Sequence, residues 1–479
     1  MKDMESAGHG GQGDLQRRLT QIVGVPIREL DVRPLAGGAS RQLLKLTAQT
    51  PDGPRPAVLR ADHEGDTQPK ANFTEAAVLA AAGAAGVPCP RLLHDDTPGE
   101  LIGTPGMLIE FVEGETIARR ILRDERFAAA RRALPADLAR AAAAIHAIDP
   151  NSLSEAGLRE LVDPVASLAE EYREIGIQRP VFDLALARLE DTRPENTTGT
   201  AVVHGDFRLG NLMVDESGLA AVLDWELAHL GDPDEDLGYL TMRAWRFGGP
   251  GEVAGLGDLD AFLDDYARAS GRRPDTTAVR WWQARATLWW GIGTLRQMQR
   301  AHENHPNELE LLAIGRRAAE QEHDLLQLLF PDSLPDPAEA GAAGAPRSAA
   351  GAPRSDRAAA ANVDPLDPDD LFSAPCAAEL LGALSRWIDR DVVSSDDAPS
   401  SFRGRVARNV VDLVGRQREL EPVATASSAS ALATLGFASE PELAAAIRSG
   451  AARDVDLLVP ALDLITRFRL SASNPRYLG

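Results

Sequence analysis

The sequence predicts an α+β protein with a small β-rich part, a larger helical part and an appended all-α bundle. Three observations lead to this fold class. Apolar runs of strand length recur as far as residue 112, with Gly, Pro and Asp between them. Helical spacing of apolar residues then prevails as far as Phe330. Residues 334–363 are rich in Ala, Gly and Pro, and four further helical patterns follow them.

Length and composition indicate a globular protein of two or three domains, since the chain has 479 residues and 44% of them are hydrophobic. The net charge of -22 argues against a general nucleic-acid or anionic-membrane binder. Cys89 and Cys376 are too few for a disulfide framework. The first twenty residues do not resemble a signal peptide, and no apolar run is long enough to span a membrane. We therefore expect a cytoplasmic protein without membrane contact.

Residues 204–211, with the sequence HGDFRLGN, form the most informative stretch. Apolar runs flank it, and Asp224 follows the last of them, which predicts a loop and then a short hairpin. A carboxylate on such a loop can accept the proton of an attacking hydroxyl, while an amide oxygen and a second carboxylate hold Mg²⁺ against phosphates. Asp206 would be the base, and Asn211 and Asp224 the metal ligands. The alternative is that Asp and Asn occur here only as turn formers.

These residues, together with VLDWE at 222–226 and GDPDEDL at 231–237, resemble the aminoglycoside phosphotransferase family, a small-molecule branch of the protein-kinase-like fold. The resemblance covers about residues 14–332. Phe207-Arg208 and Trp225-Glu226 are most similar to the kinase domain joined to some acyl-CoA dehydrogenases, a branch associated with hydroxyacyl-CoA substrates. The resemblance implies a bilobal kinase-like fold, ATP and Mg²⁺ as cofactors, and an Asp236 that braces the loop backbone.

A glycine-containing segment lies between two predicted strands, one near Val32 and one at 42–46. Gly37, Gly38 and Ser40 would let backbone N–H groups approach the nucleotide phosphates closely. A plain hairpin turn is the alternative interpretation.

The predicted strand at 56–61 would present Arg60 to the phosphates, where kinases normally have Lys. Glu75, on a predicted helix over 72–85, is the expected ion-pair partner of Arg60, although an acid in a first helical turn is also favoured by the helix dipole. Two further strands are predicted at 91–93 and 106–112. By resemblance, the main chain of Glu110 and Val112 would bind adenine.

The helical part contains several periodic segments. His146 lies in an Ala-rich helix, where a structural role is expected. Predicted helices cover residues 136–148, 234–247, 277–300, 307–330, 374–391, 401–420, 441–449 and 454–470.

The expected domains are a kinase-like domain over 14–332, a linker over 334–363 and a helical domain of unknown function over 364–479. Arginines on the helix at 401–420 form either a solvated face or a face that contacts a protein partner.

The predicted function is ATP- and Mg²⁺-dependent transfer of a phosphoryl group to a hydroxyl of a small molecule, with a hydroxyacyl-CoA as the candidate. Arg208, two residues after the base, would act in catalysis and favour an anionic or carbonyl-bearing substrate. Alternatively, Arg208 pairs with Asp232 or Glu226 and only shapes the loop. A catalytically silent nucleotide-binding regulator and an aminoglycoside kinase are the alternative functions.

Overall fold

The computed structural model describes residues 10–35, 41–62, 72–195, 199–303, 305, 307–335, 375, 377–387 and 401–478. The chain divides into two compact units. The first consists of Met1–Val162 and Asn196–Val279, and the second of Asp163–Glu195 and Arg280–Gly479. Within the described ranges, no helix has the length and apolar character required to cross a membrane.

The first unit contains a five-stranded antiparallel sheet with the strand order β1-β2-β3-β5-β4. Its strands are β1 (Glu29–Pro34), β2 (Gln42–Thr50), β3 (Gly53–Ala61), β4 (Leu92–Asp96) and β5 (Gly106–Glu110). Helix α1 (Gly10–Val23) precedes the sheet, and α2 (Asn72–Ala84) follows β3. Each predicted strand is therefore present, although β2 is longer than expected and β4 lies further along the chain.

The two faces of this sheet have different partners, because successive side chains of a strand point to opposite faces. Leu59 packs in a core cluster with Leu44, Leu46 and the α1 residues Leu15 and Leu19. Arg60 therefore projects from the opposite face. Its cross-strand partner there, Met107, is buried in a cluster that includes Ala76 and Leu79 of α2. The alternation thus directs Arg60 towards the helix that contains Glu75.

The rest of the first unit is mainly helical, with two short hairpin-like pairs of strands. The chain continues through α3 (Ala118–Arg123), α4 (Ala128–His146), α5 (Pro164–Ile175), α6 (Pro180–Asp191), β6 (Ala201–Val203), β7 (Leu212–Val214), β8 (Leu219–Val222), β9 (His229–Gly231), α7 (Asp234–Leu240) and α8 (Leu259–Ser270). Strand β6 pairs with β9 and β7 pairs with β8, both antiparallel. Helices α5 and α6 belong to the second unit.

Helix α7 is shorter than the helix predicted over 234–247. It ends at Leu240, and a separate 3-10 turn covers Arg243–Trp245. The guanidinium of Arg246 donates hydrogen bonds to the carbonyl of Thr241, with Nε and Nη2 at 3.2 and 2.8 Å. Basic side chains can bind the carbonyls that the end of a helix leaves without intrahelical partners, and this contact could not be read from the apolar spacing.

The second unit consists of helices. They are α5, α6, α9 (Thr276–Ala301, most of which lies in this unit), α10 (Glu308–Gly315), α11 (Ala318–Leu329), α12 (Ala377–Trp387), α13 (Ser401–Thr434), α14 (Glu440–Arg448) and α15 (Val455–Ser473). The prediction of a single helix over 307–330 is wrong, because one helix ends at Gly315 and a second begins at Ala318. A Cβ there would lie 2.9 Å from the Cβ of Met298, and the buried Arg316 donates to Gln417 of α13 at 2.7 Å.

Helix α13 extends beyond the predicted end at Leu420 and continues through Pro422. Proline removes a backbone hydrogen bond within a helix. Leu420, Ala424, Ser428 and Leu432 are nevertheless all buried at four-residue spacing, so one continuous face packs along the whole helix. This burial explains why the helix does not stop at the proline.

Charged side chains are buried between the helices of the second unit. Arg469 of α15 donates to Glu322 of α11 at 3.3 Å, and Tyr477 donates to Asp324 at 2.5 Å. Arg448 of α14 contacts Asp183 of α6 at 2.8 Å. The C-terminal helices therefore share one unit with α6 and α11. The linker prediction stays untested, since residues 336–374 lie outside the described ranges.

Candidate active site

Residues 204–211 form the predicted loop, which follows β6 and ends in a 3-10 turn at Leu209–Asn211. The predicted hairpin, β7–β8, comes next. Gly205 has a φ of +77°, and a Cβ here would lie 2.5 Å from the carbonyl oxygen of Leu227. Both the backbone conformation and the close approach require glycine at this position.

Asp236, at the start of α7, fixes the backbone of this loop. Its Oδ2 accepts the N–H of His204 at 2.8 Å, and its Oδ1 accepts the N–H of Gly205 at 2.9 Å. His146 adds a contact from Nε2 at 3.1 Å, and its Nδ1 lies 2.8 Å from the Tyr266 hydroxyl. Burial alone would raise the pKa of Asp236, but the hydrogen bond and charge of His146, with the His204 N–H, lower it below its ordinary value. The bracing expected of Asp236 and the structural role expected of His146 are both observed.

The carboxylate of Asp206 is held by its own loop. Oδ1 accepts a hydrogen bond from Arg208 Nε at 2.8 Å, and Oδ2 accepts one from Asn211 Nδ2 at 2.5 Å. The same amide nitrogen donates to the Asp206 carbonyl at 3.0 Å. Because the amide nitrogen makes these contacts, the amide oxygen of Asn211 points in another direction.

The guanidinium of Arg208 lies against the ring of Trp245, at 4.5 Å from its guanidinium carbon to the ring centre. A Cβ at position 210 would overlap its Nη1, so Gly210 leaves the space that this arrangement needs. Arg208 pairs with Asp206 rather than with Asp232 or Glu226. Arg208 is therefore ion-paired, as the alternative interpretation expected, but its partner is the predicted base, Asp206.

Asp224 follows β8 in a left-handed backbone conformation, with a φ of +66°. Residues other than glycine rarely adopt this conformation, and those that do are concentrated at functional sites. The N–H of the preceding Leu223 donates to the carbonyl of Asn211 at 2.8 Å, which ties the end of the hairpin to the loop. The Asp224 side chain is 36% exposed and thus accessible to a ligand.

Arg60 joins the sheet to this hairpin. Its Nη1 pairs with Glu75, as predicted, and its Nη2 lies 2.6 Å from Asp224 Oδ1 and 3.6 Å from Glu226 Oε2. Burial alone would lower the pKa of Arg60, but the charges of Glu75, Asp224 and Glu226 outweigh it and raise that pKa. Arg60 therefore remains a cation.

Glu75 has a second cationic partner, Arg41, which also lies 3.4 Å from Asp62. Arg41, Asp62 and Glu75 are each only 3% exposed. Positive and negative groups thus alternate from Asp62 to Asp224.

Of the remaining predicted site residues, the structure describes Glu110 and Val112 but not the three of the glycine-containing segment. Gly37, Gly38 and Ser40 lie outside the described residues, although the N–H of Leu35 donates to the Leu43 carbonyl at 2.9 Å and joins β1 to β2 beside them. Glu110 ends β5, and its N–H donates to the Arg91 carbonyl at 2.9 Å. Val112 lies just beyond that strand.

Three contacting residues were not identified from the sequence: Arg41, Tyr239 and Trp245. Burial, together with the charge of Asp206, raises the pKa of the Tyr239 hydroxyl well above its ordinary value. Tyr239 follows Asp236 by three residues, so both lie on one face of α7, and this spacing could have identified Tyr239 from the sequence. Arg41 and Trp245 approach the site only through tertiary packing.

Comparison with known proteins agrees with this geometry. A model of the phosphotransferase enzyme family (APH) matches residues 31–282, just over half of the chain, and a model of a domain of unknown function (DUF6285) matches residues 395–477. The chain is 30% identical over 203 residues to acyl-CoA dehydrogenase family member 11 of Rattus norvegicus, and 30% identical over 248 residues to that of Gallus gallus. These matches cover 40% and 48% of this chain but only 25% and 31% of those proteins.

Among solved structures, that of a candidate aminoglycoside phosphotransferase from Ralstonia eutropha is similar, with a TM-score of 0.53 and 24% identity. The similarity covers 67% of this chain and 98% of that one, and it shows a shared fold. The predicted α+β, protein-kinase-like fold class is confirmed. On the extent of the family match, the chain belongs to the phosphotransferase enzyme family.

Proposed function

We propose that the protein is an ATP- and Mg²⁺-dependent phosphotransferase that acts on a hydroxyl of a small molecule. The main supporting observation is the Asp206 carboxylate, held by Arg208 and Asn211 on a loop that the buried Asp236 anchors. Such a carboxylate can accept the proton of the acceptor hydroxyl as its oxygen attacks the terminal phosphorus of ATP. The products are ADP and the phosphorylated substrate.

The residues present fit a magnesium ion. Mg²⁺ takes few protein ligands and completes its shell with phosphates and water, so two side chains are sufficient. The amide oxygen of Asn211 and the accessible carboxylate of Asp224 are the hard donors that Mg²⁺ prefers. A bound ion would neutralise phosphate charge.

Arg60 supplies the phosphate contact in this proposal. Its cationic state and its Glu75 partner fit that role, and a guanidinium can bind phosphate through two hydrogen bonds. Adenine would then lie at the end of β5. Since the Glu110 N–H is already bonded to Arg91, Glu110 would offer its carbonyl and Val112 its N–H. Gly37, Gly38 and Ser40 would cover the phosphates.

Arg208 points to the substrate class. Its Nε is bonded to Asp206, so the guanidinium is fixed beside the reacting hydroxyl and would repel a polyamine. A hydroxyacyl-CoA carries a carbonyl and phosphate groups. The similarity to part of acyl-CoA dehydrogenase family member 11 from two species supports this class over an aminoglycoside.

One observation favours a second candidate, a nucleotide-binding regulator without catalysis. Arg60 contacts the carboxylate of Asp224 directly, so this arginine competes with a cation for the same oxygen atoms. If the pair persisted when nucleotide bound, Mg²⁺ would lose one ligand.

Asp206→Asn and Asp224→Asn separate the two candidates. Asparagine tolerates the left-handed backbone at position 224 better than alanine does. For the enzyme, Asp206→Asn should retain Mg²⁺-ATP binding and lower turnover about 10²- to 10⁴-fold, whereas Asp224→Asn should weaken Mg²⁺-ATP binding. Asp215→Asn, at the exposed tip of the β7–β8 hairpin, is the control. Unchanged ADP release in Asp206→Asn, or wild-type nucleotide binding that is indifferent to Mg²⁺, would contradict the enzymatic proposal.

The substrate class is tested by ADP release with 3- and 4-hydroxyacyl-CoAs and with kanamycin-type aminoglycosides, in the wild type and Arg208→Ala. We expect turnover of the acyl-CoAs and its loss in the variant. Turnover of aminoglycosides alone would exclude the anionic class.

A further inference from the structure

Two aromatic side chains, Tyr239 and Trp245, lie against the pair formed by Asp206 and Arg208. Tyr239 is 3% exposed, and the charges of Asp206 and Arg208 both act on its hydroxyl. Trp245, in the 3-10 turn after α7, is 7% exposed and packs on the Arg208 guanidinium. Trp245 therefore covers one face of the Arg208 guanidinium, and Tyr239 is buried close to both members of the pair.

We propose that Tyr239 and Trp245 are positioning residues, which hold the Asp206 carboxylate and the Arg208 guanidinium in the geometry needed for phosphoryl transfer. This inference rests on the proposed role of Asp206. It assigns no contact with the substrate to either aromatic residue.

The hydrogen bonds at Asp206 show what Tyr239 would do. An ionised carboxylate offers about four acceptor positions. Arg208 and Asn211 each donate to one of them, and in this proposal the Tyr239 hydroxyl donates to a third. The remaining position is the one available to an incoming hydroxyl, so the three donors together determine the direction from which that hydroxyl can approach.

The tyrosine is suited to act as a permanent donor. Burial raises the pKa of Tyr239 well above its ordinary value, and the charge of Asp206 raises it further. It therefore keeps its proton at any working pH. Tyr239 shares α7 with Asp236, so one helix holds both the backbone of the loop and its carboxylate.

Trp245 limits the movement of Arg208. The guanidinium lies on the indole face, and Gly210 leaves room for its Nη1. Stacking of this kind orients a planar cation in addition to attracting it. Without the ring, Arg208 would still reach Asp206 but would gain other conformations.

The first test needs no substrate. The stability of Tyr239→Phe, Asp206→Ala and the double variant is measured by thermal unfolding. If the hydroxyl donates to Asp206, the loss in unfolding midpoint caused by Tyr239→Phe should largely disappear in the Asp206→Ala background. Tyr172→Phe is the matched control, since it removes another buried tyrosine hydroxyl near an aspartate, at 3.2 Å from Asp183 in the second unit. Its effect should be additive with Asp206→Ala. Additivity for Tyr239→Phe would overturn the inference.

The second test is kinetic. Tyr239→Phe and Trp245→Leu should each lower kcat about tenfold while the KM for ATP stays within about twofold, because Arg60 and Asp224 are untouched. Trp245→Phe, which retains a ring face, should recover most of the loss. Wild-type kcat in both Tyr239→Phe and Trp245→Leu would overturn the inference and leave the proposed function standing. If the wild type turns over no acceptor, the proposed function fails, and the stability cycle alone decides whether Tyr239 holds Asp206.

Discussion

Replacing Asp236 by Asn tests how the catalytic loop is held. Both carboxylate oxygens of Asp236 accept a backbone N–H, one from His204 and one from Gly205. An asparagine has one oxygen and one NH₂ group at these two places. Whichever way the amide is turned, its NH₂ group faces a backbone donor, so at least one hydrogen bond is lost in a fully buried site.

The expected cost follows from these contacts. A hydrogen bond to a charged group contributes about 1.5 to 3 kcal/mol, and a buried donor left unpaired adds to that loss. We therefore expect Asp236→Asn to reduce the free energy of unfolding by about 3 kcal/mol. In a unit of this size that corresponds to a midpoint about 6 to 12 °C lower. The loop would also gain freedom, so turnover should fall about tenfold or more.

The stability that Asp236 contributes should decrease at low pH. The pKa of Asp236 is lower in the folded protein than its ordinary value. Its stabilisation is therefore complete above an unfolded pKa of about 3.9 and is lost as the pH falls through the folded pKa. The titration of Asp236 should therefore reduce the difference between wild type and Asp236→Asn only below about pH 4.

The assay is thermal unfolding at several pH values, together with ADP release. Asp215→Asn is the matched control, because Asp215 also accepts two backbone N–H groups, from Ser217 at 2.7 Å and Gly218 at 3.0 Å, but is exposed to water. We expect a small effect there. If Asp236→Asn unfolds and turns over like the control, the loop is held by other contacts and our reasoning is refuted.

Two further predictions concern buried charges. Arg60→Ala should weaken productive ATP binding. Arg60→Lys should restore part of it, because the charge survives although the bidentate contact is lost. Equal KM values for ATP in wild type and Arg60→Ala would show that Arg60 does not bind the phosphates. Burial raises the pKa of Asp183 to about 6, despite its hydrogen bonds to Arg448 and Tyr172. The folded state therefore holds this proton more tightly than the unfolded state, and stability falls as the pH rises from about 4 to about 6. Going from pH 7 to pH 5 should stabilise the wild type by about 1 kcal/mol relative to Asp183→Asn in unfolding experiments, and parallel pH profiles would contradict this assignment.

Local features were predictable from the sequence. Asp206 and Asn211 are five residues apart in one turn, so their contact depends mainly on the loop itself. Arg60 and Glu75 were paired correctly because the resemblance to kinases implies an ion pair between this strand and this helix. The five strands of the sheet followed from short apolar runs between turn residues.

Features that depend on distant contacts were not predictable. Arg246 binds the Thr241 carbonyl at the end of α7, α10 ends where Gly315 meets Met298, and the far half of α13, beyond Pro422, is buried. The direct contact of Arg60 with Asp224 joins residues 164 positions apart. Apolar periodicity reports which face of an element is buried, but not which side chain of another element will contact it.

The buried charges between α11 and the C-terminal helices bear on how this unit is assembled. Glu322 and Asp324 have their partners, Arg469 and Tyr477, about 150 positions later in the same polypeptide. A covalent connection gives such partners an effective concentration in the millimolar range, whichever path the intervening residues take. Cleavage between residues 336 and 374 would turn this contact into an ordinary bimolecular association, governed by dilution. The fragments would then separate at low protein concentration. Glu322 would lose Arg469 and keep Arg179, and Asp324 would lose the hydrogen bond from Tyr477.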